Sequence, residues 1–272
     1  MTKIDVMGTA LAYDDTGDPS RAGATGTPVV LLHAGIADRR MWRHQVAALA
    51  HRHRVLAPDL PGYGQSALPA GPFAHHDDVV GLIDALGIEQ AALVGCSFGG
   101  AVAIDAALAH PDRISALALF DTAVSGHRLS DEAKALWEST IGEVDEDDLD
   151  AVAAAEVRFF VVGPGRQPAQ VDPALLRFAE EMDRHALAAE QALAAVPTSE
   201  LDPPALGRLG ELRVPVLVGV GAYDVPDFKR LADRVAAAVP GAVRLPDIPN
   251  AAHLAPLEQP GPVNAALLDF LT

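Results

Sequence analysis

Residues 91–101 read AALVGCSFGGA. An apolar run stops at Gly95, one hydroxyl follows at Ser97, and Gly99 and Gly100 lead into the Ala-rich stretch AVAIDAALAH. Glycines at such a handover mark a backbone that bends sharply or comes close to another segment. The pattern is G-x-S-x-G, with a strand expected before it and a helix after it. A serine held in that turn points its Oγ out of the sheet. The helix N-terminus beside it offers free N–H groups and a partial positive charge. The stretch therefore predicts a presented nucleophile rather than a serine that only caps a helix.

On the N-terminal side, KIDVMGTALAYDDTGD predicts an antiparallel hairpin at a sheet edge, followed by a loop rich in Gly, Ala and Thr. TPVVLLHAG then holds a continuous apolar run, Val29 to Leu32, as fits a strand buried on both faces. RRMWRHQVAALA carries Met41, Trp42, Val46 and Leu49 near helical spacing, RVLAPDL is a short strand, and HHDDVVGLIDALGI is a helix closed by Gly87. After AALVG and its helix comes the strand ISALALF. Strand and helix alternating in this way predict an α/β fold with a mostly parallel sheet. The rhythm breaks after Asp121. Three helical stretches follow, DEAKALWESTIG, LDAVAAAEVRFFV and PALLRFAEEMDRHALAAEQALAAV, before strand and helix resume with VPVLVGVG, VPDFKRLADRVAAAVP, AVRLPDI and PGPVNAALLDFLT. The expected organisation is an α/β core over 1–123 and 206–272, with an all-helical cap at 124–205.

At 272 residues the chain is long enough to bury a full core. It is 50% hydrophobic and 21% charged, which is ordinary for a soluble globular protein. No stretch approaches the roughly 18 uninterrupted apolar residues of a membrane span. The first residues turn acidic before an apolar signal segment forms, and the expectation is a cytoplasmic protein. The single cysteine, Cys96, excludes an internal disulfide and is expected to pack beneath the turn. A net charge of −17 without a basic stripe argues against nucleic acid as a partner. Between Asp121 and Asp202 stand 18 acidic and 6 basic residues, read as a solvated outer face. Self-association is left open.

A serine hydroxyl is a weak nucleophile without a base. Of ten histidines, His253 lies between the last strand and the last helix, in a loop at the carboxyl end of the sheet. His44, His51, His53 and His110 read as surface or helix-end residues, and His75 and His76 as a helix N-terminal cluster rather than a metal site. His127 and His185 fall in the cap, where either is a candidate pocket residue. The base needs an orienting acid. Asp224 directly follows the strand Val216–Val220 and is preferred. Asp121, which also ends a strand, is the alternative acid, and Asp227 lies further from its strand end. The oxyanion formed on attack needs donors. The N–H of Phe98 is one. Gly35, in the loop HAGIADRR, is preferred for the other, with Ile36 next. His33 is expected to bond the loop backbone.

LLHAG, the helix containing Trp42, RVLAPDLPGYGQS, GCSFGG, GAYD and the late His253 together resemble the α/β-hydrolase fold superfamily, and specifically its serine hydrolases of esterase and enol-lactonase type. The resemblance covers nearly the whole chain. It implies an eight-stranded, mostly parallel sheet flanked by helices, with a helical cap after strand 6. It implies a triad of Ser97, Asp224 and His253, oxyanion donors at Phe98 and Gly35, and no metal or organic cofactor. The implied substrate is a small carboxylic ester or lactone. Ala34 departs from the His-Gly that commonly opens the oxyanion loop. Haloalkane dehalogenases and epoxide hydrolases of this fold carry aspartate where Ser97 stands, which counts against both activities. Two alternatives remain: cleavage of a carbon–carbon bond in a β-diketone-like substrate, and a non-hydrolytic, ligand-binding or cyclase-like role.

Overall fold

Runs such as VVLL and AALVGC have no polar alternation, so they must be covered on both faces. In the computed structural model, which describes residues 2–17, 26–142 and 144–271, they form the centre of one sheet. Its strands are β1 (Thr2–Val6), β2 (Thr9–Asp15), β3 (Gly26–Leu32), β4 (His53–Pro58), β5 (Ala91–Cys96), β6 (Ile114–Phe120), β7 (Val216–Gly219) and β8 (Val243–Arg244). The spatial order is β1-β2-β4-β3-β5-β6-β7-β8. β1 and β2 form the expected hairpin and β2 runs antiparallel to β4; the other pairings are parallel. The Gly- and Ala-rich loop expected after the hairpin falls, at 18–25, outside the described residues.

Helices α1 (Arg43–Leu49), α2 (His75–Ala85), α3 (Phe98–Ala109), α7 (Pro226–Ala238), α8 (Ala255–Glu258) and α9 (Pro260–Phe270) surround the sheet. Successive strand residues alternate between its faces. Val30, Leu32 and Leu93 join the layer that includes Val79, Ile83 and Ile104 of α2 and α3. Val29, Leu31 and Val94 join the layer that includes Leu49 of α1 and Val263 and Leu267 of α9. Between β6 and β7 stand α4 (Asp131–Ile141), α5 (Leu149–Val157) and α6 (Pro173–Leu193), with a π-helical turn, Arg158–Val162, extending α5.

Two expectations need correction. The last strand is much shorter than AVRLPDI, because the register breaks after Leu245: its N–H donates to Val218, but the next donor to β7 is Ile248, to Val220, one residue out of step; only an isolated bridge, Gly221 to Ile248, follows. His53 is no surface residue. It opens β4, is 2% exposed, and its Nδ1 lies 2.8 Å from the Thr27 carbonyl.

The order of strands fixes where a site can form. The chain leaves β3 to one side for β4 and returns to the other for β5, so the topology switches between β3 and β5. The crevice beyond the carboxyl ends of strands at such a switch is where open α/β sheets bind ligands. Ser97 and the loop that follows Leu32 both lie there.

Candidate active site

Ser97 sits between β5 and α3 with φ +52° and ψ −116°. A non-glycine residue held there is strained, at a cost of about 1–3 kcal/mol. Close packing imposes the turn. A Cβ on Gly99 would lie 2.2 Å from the Leu32 carbonyl oxygen, so glycine is what lets α3 start directly against the end of β3. The carbonyl of Ser97 in turn accepts from the N–H groups of Gly100, Ala101 and Ala123.

The loop after β7 and the loop before α8 are laced together by their backbones. Ala222 donates to Ile248 and Tyr223 to Ala251, each at 2.9 Å. A Cβ on Gly221 would come within 2.1 Å of the Ala252 carbonyl oxygen. This approach brings Asp224 and His253 together, both almost fully buried. His253 Nδ1 lies 3.0 and 3.1 Å from the two Asp224 carboxylate oxygens, and its Nε2 lies 2.6 Å from Ser97 Oγ. Nδ1–H thus donates to the carboxylate and leaves Nε2 to accept from the hydroxyl. Phe160 and Phe228 pack on the imidazole, with ring centroids 4.8 and 4.1 Å away. Burial holds the imidazole down, at about 4, so it stays neutral at physiological pH. Burial raises the Asp224 carboxyl, against which the Val225 N–H donates to it at 2.7 Å.

Asp121, the alternative acid, is not brought to the imidazole nitrogens. Its carboxylate accepts from the N–H groups of Gly221 at 2.7 Å and Ala255 at 3.0 Å, pinning the two loops that carry Asp224 and His253. Asp227 caps the cap: it accepts from the N–H and hydroxyl of Ser130, at the start of α4, and from Arg230. Cys96 is fully buried under the turn, its Sγ 3.5 Å from the His253 carbonyl oxygen. His33 bonds the loop: Nδ1 meets the Ala34 carbonyl at 2.8 Å and Nε2 accepts from Leu60 N–H at 3.0 Å. His127 lies 3.4 Å from Asp227 and lines a neighbouring cavity with His75 and His76, while His185 is exposed on α6. Among the described residues no cluster of His, Cys, Asp and Glu is arranged to hold a metal.

Phe98 opens α3, where the first N–H groups have no intrahelical acceptor. Gly35 faces it; a Cβ there would be 3.7 Å from Phe98 Cβ. Both residues, with Ser97 and His253, line a cavity of about 310 Å³ roofed by cap residues, including Trp137 and Phe159. Glu156 and Glu190 line it as well. The sequence reading missed these two acids and Tyr63, whose hydroxyl donates to Glu190 Oε1 at 3.1 Å. The signal that was available is helical spacing. Asp183, Ala186 and Glu190 fall three and four residues apart, so an acid occupies the face that carries small, core-facing residues.

A second joint ties cap to core. Arg166, after the π-helical turn, donates to the carbonyls of Val161, Val162 and Asn250 and to Glu258 Oε2 at 2.7 Å. Glu258 Oε1 accepts from Ala252 and Leu254, the neighbours of His253, and His253 N–H donates to the Phe160 carbonyl.

A profile of the α/β hydrolase fold matches residues 27–260, and the chain belongs to that family. It is 30% identical to epoxide hydrolase A of Mycobacterium tuberculosis, over 99% of this chain and 96% of that protein. It is 38% identical over 119 residues to 2-hydroxymuconate semialdehyde hydrolase of Pseudomonas sp. CF600, a match spanning 41% of this chain and 42% of that one. Among solved structures, the enol-lactonase from Burkholderia xenovorans LB400 aligns over 99% of both chains, with a TM-score of 0.75 and 27% identity. The protein is a hydrolase of this fold. Among the described residues no helix is long and apolar enough to cross a membrane.

Proposed function

We propose that this hydrolase cleaves a small carboxylic ester or lactone through an acyl-enzyme on Ser97. The observation that carries the reading is the unbroken chain from Ser97 Oγ to His253 Nε2, and from His253 Nδ1 to Asp224, at 2.6 and 3.0 Å. Ser97 Oγ attacks the acyl carbon while Nε2 takes its proton. Asp224 keeps the imidazole in the competent tautomer and stabilises the imidazolium. The N–H groups of Phe98 and Gly35 face the developing oxyanion. The imidazolium then protonates the leaving oxygen, and water, deprotonated by His253, releases the acid.

The enol-lactonase likeness supports this chemistry. The epoxide hydrolase likeness supports the fold, but the residue on the turn here is serine, which suits attack on an acyl carbon. A second reading, hydrolysis of a carbon–carbon bond next to a carbonyl, draws support from the 2-hydroxymuconate semialdehyde hydrolase relative. Stopped-flow assay with p-nitrophenyl esters is the test. A burst matching the enzyme concentration, abolished in Ser97→Ala with a loss of at least about 10⁴-fold in kcat, is the expected result. Equal turnover in that variant overturns the proposal. Faster decay of a ring-cleavage diketone chromophore than of any ester favours the second reading.

A further inference from the structure

Three carboxyl groups that the proposed chemistry does not use stand over the reaction cavity. Glu156 on α5 and Glu190 on α6 line the same space as Ser97 and His253. Glu190 is anchored by the Tyr63 hydroxyl, and its Oε1 lies 3.8 Å from where a Cβ on Gly35 would be. A carboxylate therefore stands beside the loop expected to receive the oxyanion. Behind it, Asp183 on α6 is 1% exposed, and its Oδ2 has no hydrogen-bond partner among the described residues. Burial and the neighbouring acids raise both Glu156 and Asp183 well above ordinary carboxylic acids. Carboxyl groups buried close to one another with no counter-charge are raised in this way.

Such an arrangement opposes the reaction of a neutral ester. Negative charge fixed near the scissile carbonyl repels the charge that develops on its oxygen. A positive group on the substrate reverses the effect, since it neutralises the acids and adds a favourable field at the oxyanion. The protein supplies little positive charge of its own here. Lys134 stands at the cavity rim, 56% exposed, with Asp131 at 3.3 Å. His253 is neutral, and Tyr63 offers only its hydroxyl proton.

We propose that Glu190 and Glu156, backed by Asp183, form a cation subsite, so that the acyl donor of this enzyme carries a protonated amine. The three N–H donors of an ammonium suit several carboxylate acceptors at once. This inference rests on the acyl-enzyme reading above and names the substrate class for the same cavity.

The test compares p-nitrophenyl 6-aminohexanoate with p-nitrophenyl heptanoate, which match in length and differ in charge. The cationic ester is expected to have the higher kcat/KM by at least about tenfold, equivalent to about 1.4 kcal/mol. That ratio should fall toward one in Glu190→Gln and in Glu156→Gln, each confirmed as folded by thermal melting; if one does not fold, the other decides. A wild-type ratio of one or less, or a ratio unchanged in the folded variants, overturns the subsite. Calorimetric binding of hexylammonium against hexanol, measured on Ser97→Ala, reads the subsite without turnover. Ammonium-selective binding without any ester hydrolysis sustains the subsite and overturns the acyl-enzyme reading. Fluorophosphonate labelling of Ser97 with no charge preference does the reverse.

Discussion

Replacing Arg166 by Met tests whether the cap is fastened to the loop that carries His253. The guanidinium and the Glu258 carboxylate are 5% and 2% exposed and meet at 2.7 Å. The same guanidinium donates to three backbone carbonyls, from Val161, Val162 and Asn250. Removing one partner of a buried pair costs about 3–5 kcal/mol, because the other charge is left without compensation. At about 2–4 °C per kcal/mol for a chain near this size, the melting temperature should fall by about 10 °C. Adding Glu258→Gln to Arg166→Met removes the orphaned charge and should recover about 1–3 kcal/mol. The deficit of the single variant should also shrink at pH 5, where a buried, unpaired Glu258 takes up a proton. Denaturant unfolding of the wild type, both single variants and the double variant closes the cycle, with kcat/KM read in parallel as a report on His253. A loss under about 1 kcal/mol for Arg166→Met, or no recovery in the double variant, would refute the reasoning.

Other outcomes follow from the same geometry. In the proposed mechanism His253 acts as a neutral base, and burial lowers its pKa to about 4. The acidic limb of kcat/KM should therefore lie well below the ordinary histidine value of about 6.5, with activity lost only as pH falls through it; a limb at 6.5 in a pH profile refutes this. Gly99→Ala places a methyl 2.2 Å from the Leu32 carbonyl oxygen. It should cost about 1–3 kcal/mol or more and lower kcat by moving Ser97, both measurable by melting and burst kinetics. Asp183 is raised in the folded state, so stability is present below its unfolded value of about 3.9 and lost as pH rises toward the folded value. Asp183→Asn should accordingly melt higher than the wild type at pH 8, with the gap closing toward pH 4; a lower melting point at pH 8 counts against an Asp183 carboxyl destabilised by burial among acids.

Much of the fold could be read because it rests on local rules. Continuous apolar runs marked the buried strands, and helical spacing marked most of the helices. The hairpin, the strand–turn–helix at Ser97 and the chain order of Ser97, Asp224 and His253 also needed no knowledge of distant packing. The errors arose where a neighbour decided. His53 sits one residue before the expected start of its strand and looks like a helix end until the Thr27 carbonyl is known to await its ring. The last strand looks long because its apolar content does not reveal the register break between Leu245 and Ile248. Of the acids expected on a solvated face, Glu190 is exposed as expected, but Glu156 is half-buried and Asp183 buried. Their proximity depends on how α5 and α6 pack, and no local pattern encodes that. Arg166 was invisible for the same reason: its partner lies 92 residues on.

The Arg166 joint also bears on how the cap can be exchanged. Swapping caps between related hydrolases is an obvious way to redirect specificity, and the natural cut sites would be the two ends of 124–205. In this protein such a graft takes away Arg166, which pairs with Glu258, and leaves the segment around His253 holding a buried carboxylate without that guanidinium. A working chimera has to carry residues 250–258 along with the new cap, or bring an arginine back to position 166. Arg166 and residues 250–258 therefore have to be exchanged as one unit.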